Sequence, residues 1–242
     1  ETQERTFDNS SQHLETELNK SLGRLGVDYV DLFYIHRRDP RVPIEDVMET
    51  LLKFKKEGKI GGIGFSEISP SSLLRASEVG LVDAVQSEYS LWTRSAELGL
   101  IQTCEELGVS FIPFSPLGRG IFSQTPPDPS TFGDLDFRKN NPRFLQPNFS
   151  ENLNLLAPFK QLCAELNVSP STMAIAWTLN QGEHLLPIPG TRSRGHLKEL
   201  ASGSQFNLTK EISSQIDRVL PIGWAHGERY SDVQWVGIEK FC

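Results

Sequence analysis

Five short stretches hold the side chains that could do chemistry. "YIHRRDP" sets His36, Arg37 and Arg38 directly after the apolar run "VDLF". "GFSE" ends in Ser66 and Glu67, and "VQSE" carries Gln86 and Glu88. "PFSPLGRG" places Ser115 ahead of Leu117, Gly118, Arg119 and Gly120, and "IPGTRSRGH" runs from Gly190 and Thr191 through Arg192 and Arg194 to His196. In each an apolar run gives way to hydrogen-bonding or ionisable groups. Any one of them could merely cap the next helix. Repeated at five places, the change points to groups gathered at one end of a sheet, the end where parallel sheets and barrels bind ligands. The last stretch implies an anion. Arginines at the amino end of a helix oppose its macrodipole, a cost of roughly a few tenths of a kcal/mol, and with a glycine before them they form a natural phosphate clamp. The alternative is a solvated basic turn. The glycines of "SPLGRG" would let the backbone come close to a pyrophosphate.

The elements that must position these groups alternate. Leucines 14, 18, 22 and 25 predict a helix from Ser10 to Gly26. "VDYVDLFYIH", β-branched and aromatic, predicts a strand. A helix over "VPIEDVMETLLKFKKEGK", the strand "IGGIGFS", a helix in "SPSSLLRASEVG" and the strand "VDAVQSEYS" follow. Next come a helix in "SAELGLIQTCEELG", the strand "VSFIPFS", a helix in "SPSTMAIAWTLNQG" and a fifth strand, "HLLPIPG". Helices near "SRGHLKELAS" and "TKEISSQIDRVL" close the pattern. Such alternation means a parallel sheet wrapped by helices. The segment from Gly118 to Ser150, rich in Pro, Asn and Asp, reads as a long functional connection of the lid type. No boundary divides the chain, so a single domain over residues 1–242 is expected.

Composition bounds the function. With 242 residues, 38% of them hydrophobic, the chain can bury a core. A net charge of −7 argues against a nucleic-acid or anionic-membrane surface. No apolar run approaches the ~20 residues of a membrane span, and the chain reads as cytoplasmic. Cys104, Cys163 and Cys242 are too far apart for a metal knuckle, and the histidines lack ligand spacing, so no metal is expected.

Taken together, "LGVDYVDLFYIHRRDP", "EGKIGGIGFSEIS", "AVQSEYSLWTR", "FIPFSPLGRG" and "IPGTRSRGHLKEL" resemble the aldo-keto reductases, in the order and spacing of that family and over nearly the whole chain. The branch they are most similar to is that of pyridoxal and aryl-alcohol reductases. The resemblance implies an α/β fold, the (β/α)8 TIM barrel, that binds NADPH or NADP+ and passes hydride to a small-molecule aldehyde or ketone. It implies that His36 polarises the substrate carbonyl and that Ser66 and Gln86 hold the nicotinamide carboxamide, with Glu67 where asparagine is common. Phe114 would stack on the nicotinamide ring. Ser115, Leu117, Gly118, Arg119 and Gly120 would line the pyrophosphate. Gly190 would belong to the cofactor site, Thr191, Arg192 and Arg194 would face the 2′-phosphate, with His196 where arginine is common, and Glu199 the adenine. Trp92 would form part of a substrate wall, whereas Trp177, on an apolar helix stripe, is expected in the core.

The family's acid, a tyrosine in a D-x-A-x-x-Y segment, and its assisting lysine have no counterpart in this sequence. Asp28 and Tyr29 precede their strand and belong to the opposite end of a barrel. Five strands also fall short of eight, by roughly ninety residues of strand and helix. The expectation is an incomplete barrel whose open sheet edges invite self-association. Two other readings stand beside the reductase. One is a non-catalytic NADP(H)-binding or interaction protein, and the other is a barrel enzyme taking a sugar phosphate.

Overall fold

The computed structural model describes residues 6–242. The chain divides into two compact units, Glu1–Ser87 with Ala96–Ile112 and Trp235–Cys242, and Glu88–Ser95 with Pro113–Gln234.

The first unit opens with α1 (Ser11–Leu25), whose amino end is capped by the Ser10 hydroxyl accepting from the His13 N–H, and which stops where Gly26 turns left-handed at φ 69°. Its leucine stripe is buried through Leu14, Leu18 and Leu22. Then follow β1 (Val30–Ile35), α2 (Ile44–Lys56), β2 (Ile60–Ser66), α3 (Pro70–Val79), β3 (Ala84–Glu88), α4 (Leu100–Leu107) and β4 (Ser110–Phe114). The sheet runs β1–β2–β3–β4, with β1 parallel to β2 and β2 parallel to β3. The register pairs Ile35 with Phe65 and Ser66 with Gln86, which brings the carboxyl ends of these three strands level. Helix α2 packs against α1, β2 and α3, and α3 against α4. Val47, Leu51, Phe54, Ile63, Phe65 and Val85 form the fully buried core between them.

The second unit is mainly helical, with α5 (Asn148–Glu165), α6 (Pro170–Leu179), α7 (Arg194–Ser202) and α8 (Lys210–Val219). Helix α5 contacts α6 and α8, and α6 contacts α7. Helix α6 is buried from Pro170 through Thr178, as expected of a helix apolar on every side, and Trp177 is in the core.

Three expectations need correction. Four strands rather than five are present among the described residues, and "HLLPIPG" contributes only one parallel bridge, from Ile188 to Phe114. The Ile188 N–H donates to the Pro113 carbonyl at 3.0 Å, and Pro187 and Pro189 on either side have no N–H to offer to a neighbour on the other edge. The helix foreseen over "SAELGLIQTCEELG" is broken at Gly99, φ 136°, into a 3-10 turn (Ser95–Leu98) and α4. The connection after Gly118 is pinned rather than loose. It contains 3-10 turns at Pro129–Thr131 and Pro142–Phe144, and buries Phe122, Phe132, Phe144 and Phe149 before and within the start of α5. Helix α5 has no counterpart in the sequence reading, because Pro158 lies inside it and argues locally against a helix despite a regular stripe of Phe149, Asn152, Leu156, Phe159 and Cys163.

Among the described residues no helix is long and apolar enough to cross a membrane, and no group of His, Cys, Asp and Glu is arranged to hold a metal ion.

Candidate functional site

In the first unit the groups expected at the strand ends do converge. His36 follows the last residue of β1 and is exposed. With Phe7, Asn9, His13, Tyr34 and Arg37 it lines a cavity of ≈ 410 Å³. Its carbonyl accepts from Arg37 Nη1 at 2.6 Å, and the same nitrogen donates to Ser66 Oγ at 3.0 Å. Accepting from an arginine leaves the Ser66 proton available to donate elsewhere. Glu67 is fully buried and left-handed at φ 55°, and its N–H donates to the Gln86 carbonyl at 2.9 Å.

The tail Trp235–Cys242 sits on this end of the sheet. The Glu239 N–H donates to the Glu67 carbonyl at 3.0 Å, and the Cys242 thiol lies 3.7 Å from Glu67 Oε2. Glu239 Oε2 accepts from the Ser69 N–H at 2.7 Å and the Ser69 hydroxyl at 2.9 Å, while Arg38 Nε lies 3.7 Å from Glu239 Oε1. No pattern in the sequence signalled this contact, which joins residues about 170 apart. Cys104 and Cys163 are buried, and burial pushes both thiols up to about 12, so they serve packing rather than reactivity.

In the second unit the glycine loop has an unusual backbone. Leu117 lies at φ −92°, ψ 15°, and Gly118, Arg119 and Gly120 follow at φ 55°, 56° and 103°. The Gly120 and Ile121 N–H groups are spent inside the loop, donating to the Leu117 and Gly118 carbonyls at 3.0 and 3.2 Å. A Cβ on Gly118 would lie 2.8 Å from Ile121 Cγ2, so packing as well as φ demands glycine there. The Arg119 guanidinium is already engaged. It donates to Glu88 Oε2 and to the Arg229 carbonyl, both at 2.6 Å, and lies over the rings of Phe137 and Tyr230. Ser115 is left-handed at φ 51°, and its carbonyl accepts from the Gly118 N–H at 2.9 Å. Phe114 is half-buried at the end of β4.

The basic stretch before α7 is in the open. Ser193 caps α7, its hydroxyl accepting from the His196 N–H at 3.4 Å, and Thr191 Oγ1 accepts from the Ser193 N–H at 3.2 Å. Gly190, Thr191, Arg192, Arg194 and His196 are all exposed. Neither Arg192 nor Arg194 has an ion-pair partner among the described residues. Glu199 is half-buried, and with Ser169, Thr172, Gln205 and Phe206 it lines a second cavity of ≈ 410 Å³.

Trp92, expected in a substrate wall, is 3% exposed and packed inside the second unit. It stacks on Trp224 at 6.4 Å, meets Phe144 edge-on at 5.4 Å, and donates from Nε1 to Asn152 Oδ1 at 3.4 Å. Two further residues escaped the sequence reading. Arg229 Nη1 lies 3.7 Å from Glu88 Oε2, and Arg143 donates to Thr93 Oγ1 at 2.7 Å, beside the Thr93 hydroxyl's own 3.3 Å bond to Glu88 Oε1. Burial alone would raise the Glu88 pKa, but the guanidiniums of Arg119, Arg229 and Arg143 outweigh it and hold the carboxyl below the usual range. Burial pushes Arg143 down to about 10.

Comparison with known proteins accords with this arrangement. Residues 1–221 match the model of the Aldo/keto reductase family. The chain is 37% identical over 230 residues to the aldo-keto reductase yakc [NADP(+)] of Schizosaccharomyces pombe, covering 92% of this chain and 68% of that protein. It is 36% identical to the probable aldo-keto reductase 1 of Glycine max, covering 93% of this chain and 64% of that one. Among solved structures, the glycerol dehydrogenase AKR11B4 from Gluconobacter oxydans superposes with a TM-score of 0.80 at 28% identity, over 88% of this chain and 65% of that one. The thermostable aldo-keto reductase Tm1743, at 21% identity, shares the fold with a TM-score of 0.69. The chain thus spans about two thirds of the length of the relatives it matches. With its parallel strands, interleaved helices and a family match that runs almost end to end, the chain belongs to the aldo/keto reductase family.

Proposed function

We propose that the chain binds NADPH and serves an oxidoreductase that reduces an aldehyde or ketone, as part of a barrel of the aldo-keto reductase type. The observation that carries this reading is the pair of exposed guanidiniums, Arg192 and Arg194, at the capped amino end of α7. Two cations and a helix amino end suit a phosphate monoester such as the 2′-phosphate. The glycines of the loop would let a pyrophosphate come close to the backbone, and the cavity beside Glu199 offers a place for the adenine. Ser66 and Gln86, paired in register, offer a hydroxyl proton and an amide to a carboxamide. The exposed His36 would orient the substrate oxygen. When bound, the reduced dinucleotide supplies the hydride.

The test is a titration of the purified chain with NADPH and with NADH, followed by tryptophan fluorescence. Arg192→Ala is expected to weaken NADPH by about tenfold, roughly 1.4 kcal/mol, and to leave NADH unchanged. Equal affinity of the unaltered chain for both dinucleotides would count against the clamp.

A second reading, NADP(H) binding without turnover, is favoured by the tail, whose Glu239 and Cys242 lie against Glu67. Tight NADPH binding with no oxidation of NADPH by any of a panel of aldehydes would select it.

A further inference from the structure

The sequence sets a non-glycine residue between two glycines of the loop, and the structure places it at φ 56°, ψ 26°, where L-residues are disfavoured. A third glycine would fit that backbone without strain, so the arginine must be held there by its side chain. Its guanidinium, 7% exposed, reaches away from the loop to Glu88, itself 1% exposed. It also donates to the carbonyl of Arg229, whose own guanidinium lies 3.7 Å from the same carboxylate oxygen. Around one carboxylate stand three arginines, Arg119, Arg143 and Arg229.

We propose that Arg119 does not contact a phosphate but anchors the Leu117–Gly120 loop, and that Glu88 and Arg229 act through it as positioning residues for the pyrophosphate. This rests on the NADPH reading above. The ion pair fixes the strained turn, and with it the backbone that a pyrophosphate would approach.

Arg119→Gly is the informative variant, since glycine accepts the turn freely and loses only the anchor. Glu88→Gln is the complementary one. Binding of NADPH is compared with binding of adenosine 2′-monophosphate, which has no pyrophosphate and engages the α7 clamp alone. Both variants are expected to weaken NADPH by about tenfold while leaving adenosine 2′-monophosphate unchanged, and to speed hydrogen exchange of the amides from Gly118 to Phe122 without any ligand. Unchanged NADPH affinity in Arg119→Gly, with NADPH bound normally by the unaltered chain, would overturn this inference alone. So would an equal loss for both ligands, which marks a general weakening of the fold. Failure of the unaltered chain to bind NADPH would overturn the functional reading and, with it, the assignment of the loop to a pyrophosphate.

Discussion

Arg119 and Glu88 show how far a residue's contacts can lie from its neighbourhood in sequence. An arginine between glycines at a strand end reads as lining a pyrophosphate, and its guanidinium is bonded to a buried carboxylate 31 residues away. A left-handed arginine costs roughly 1–2 kcal/mol, and a charge-assisted bond in a buried setting offsets it. Because three guanidiniums surround Glu88, its loss is severe. Glu88→Ala should destabilise the chain by about 3–5 kcal/mol, as expected when one partner of a buried ion pair is removed, and urea unfolding measures it. The pH dependence has a definite sign. The folded carboxyl is depressed below its ordinary value of 4.5, so its contribution is complete above that pH and disappears as pH falls through the depressed value. Thermal melting between pH 7 and pH 3 should therefore show a steeper acid loss for the unaltered chain than for Glu88→Gln.

At the scale of elements, β2 is governed by its glycines. "IGGIGFS" looks too glycine-rich for a central strand, since glycine weakens strands. The structure supplies the reason, because the Tyr29 hydroxyl and the Tyr34 ring of β1 and its approach occupy the space where Cβ atoms of Gly61 and Gly64 would be. A Cβ on Gly64 would lie 2.5 Å from Tyr34 Cδ1. Gly64→Ala is expected to cost about 1–3 kcal/mol through overpacking, seen as a lower urea midpoint at unchanged slope. Adding Tyr34→Leu should recover part of that loss, and the non-additivity measures the contact. Elements with strong local signals matched their expected spans closely, α1 with its serine cap and Gly26 stop above all. Helix α5 and the fifth strand did not, because a proline inside one and prolines around the other set local chemistry against pattern.

At the scale of the whole molecule, two features concern how the chain meets its surroundings. Strand β1 pairs only with β2 among the described residues, and Tyr29 and Leu32 beside and within it are 47% and 37% exposed. An unpaired strand of this kind invites pairing with another chain. Sedimentation should detect concentration-dependent association, reduced by Leu32→Lys; a strictly monomeric chain would remove the idea. The second feature is the tail. Glu239 joins it to Ser69 and Arg38, and Cys242 is fully buried beyond it. Glu239→Ala should free the tail and raise the labelling rate of Cys242 by a thiol reagent by about tenfold or more, given that hydrogen bonds to charged groups contribute roughly 1.5–3 kcal/mol. Cys104 and Cys163, buried with thiols near 12, stay silent in that measurement.

The sequence by itself determined the alternation of strand and helix, the serine cap of α1, the polar groups at the strand ends and the basic stretch before α7. All of these follow from short-range rules, such as the periodicity of apolar residues, the hydrogen bond from a serine to the third residue of a helix, and the electrostatics of a helix end. Only the tertiary structure decided that Trp92 packs against Trp224, that Glu239 closes over Ser69, and that Glu88 collects Arg119, Arg143 and Arg229. Those contacts join positions far apart along the chain. Nothing in the local pattern around a lone arginine says which buried carboxylate it will meet, because the choice is made by desolvation and packing once the elements have come together.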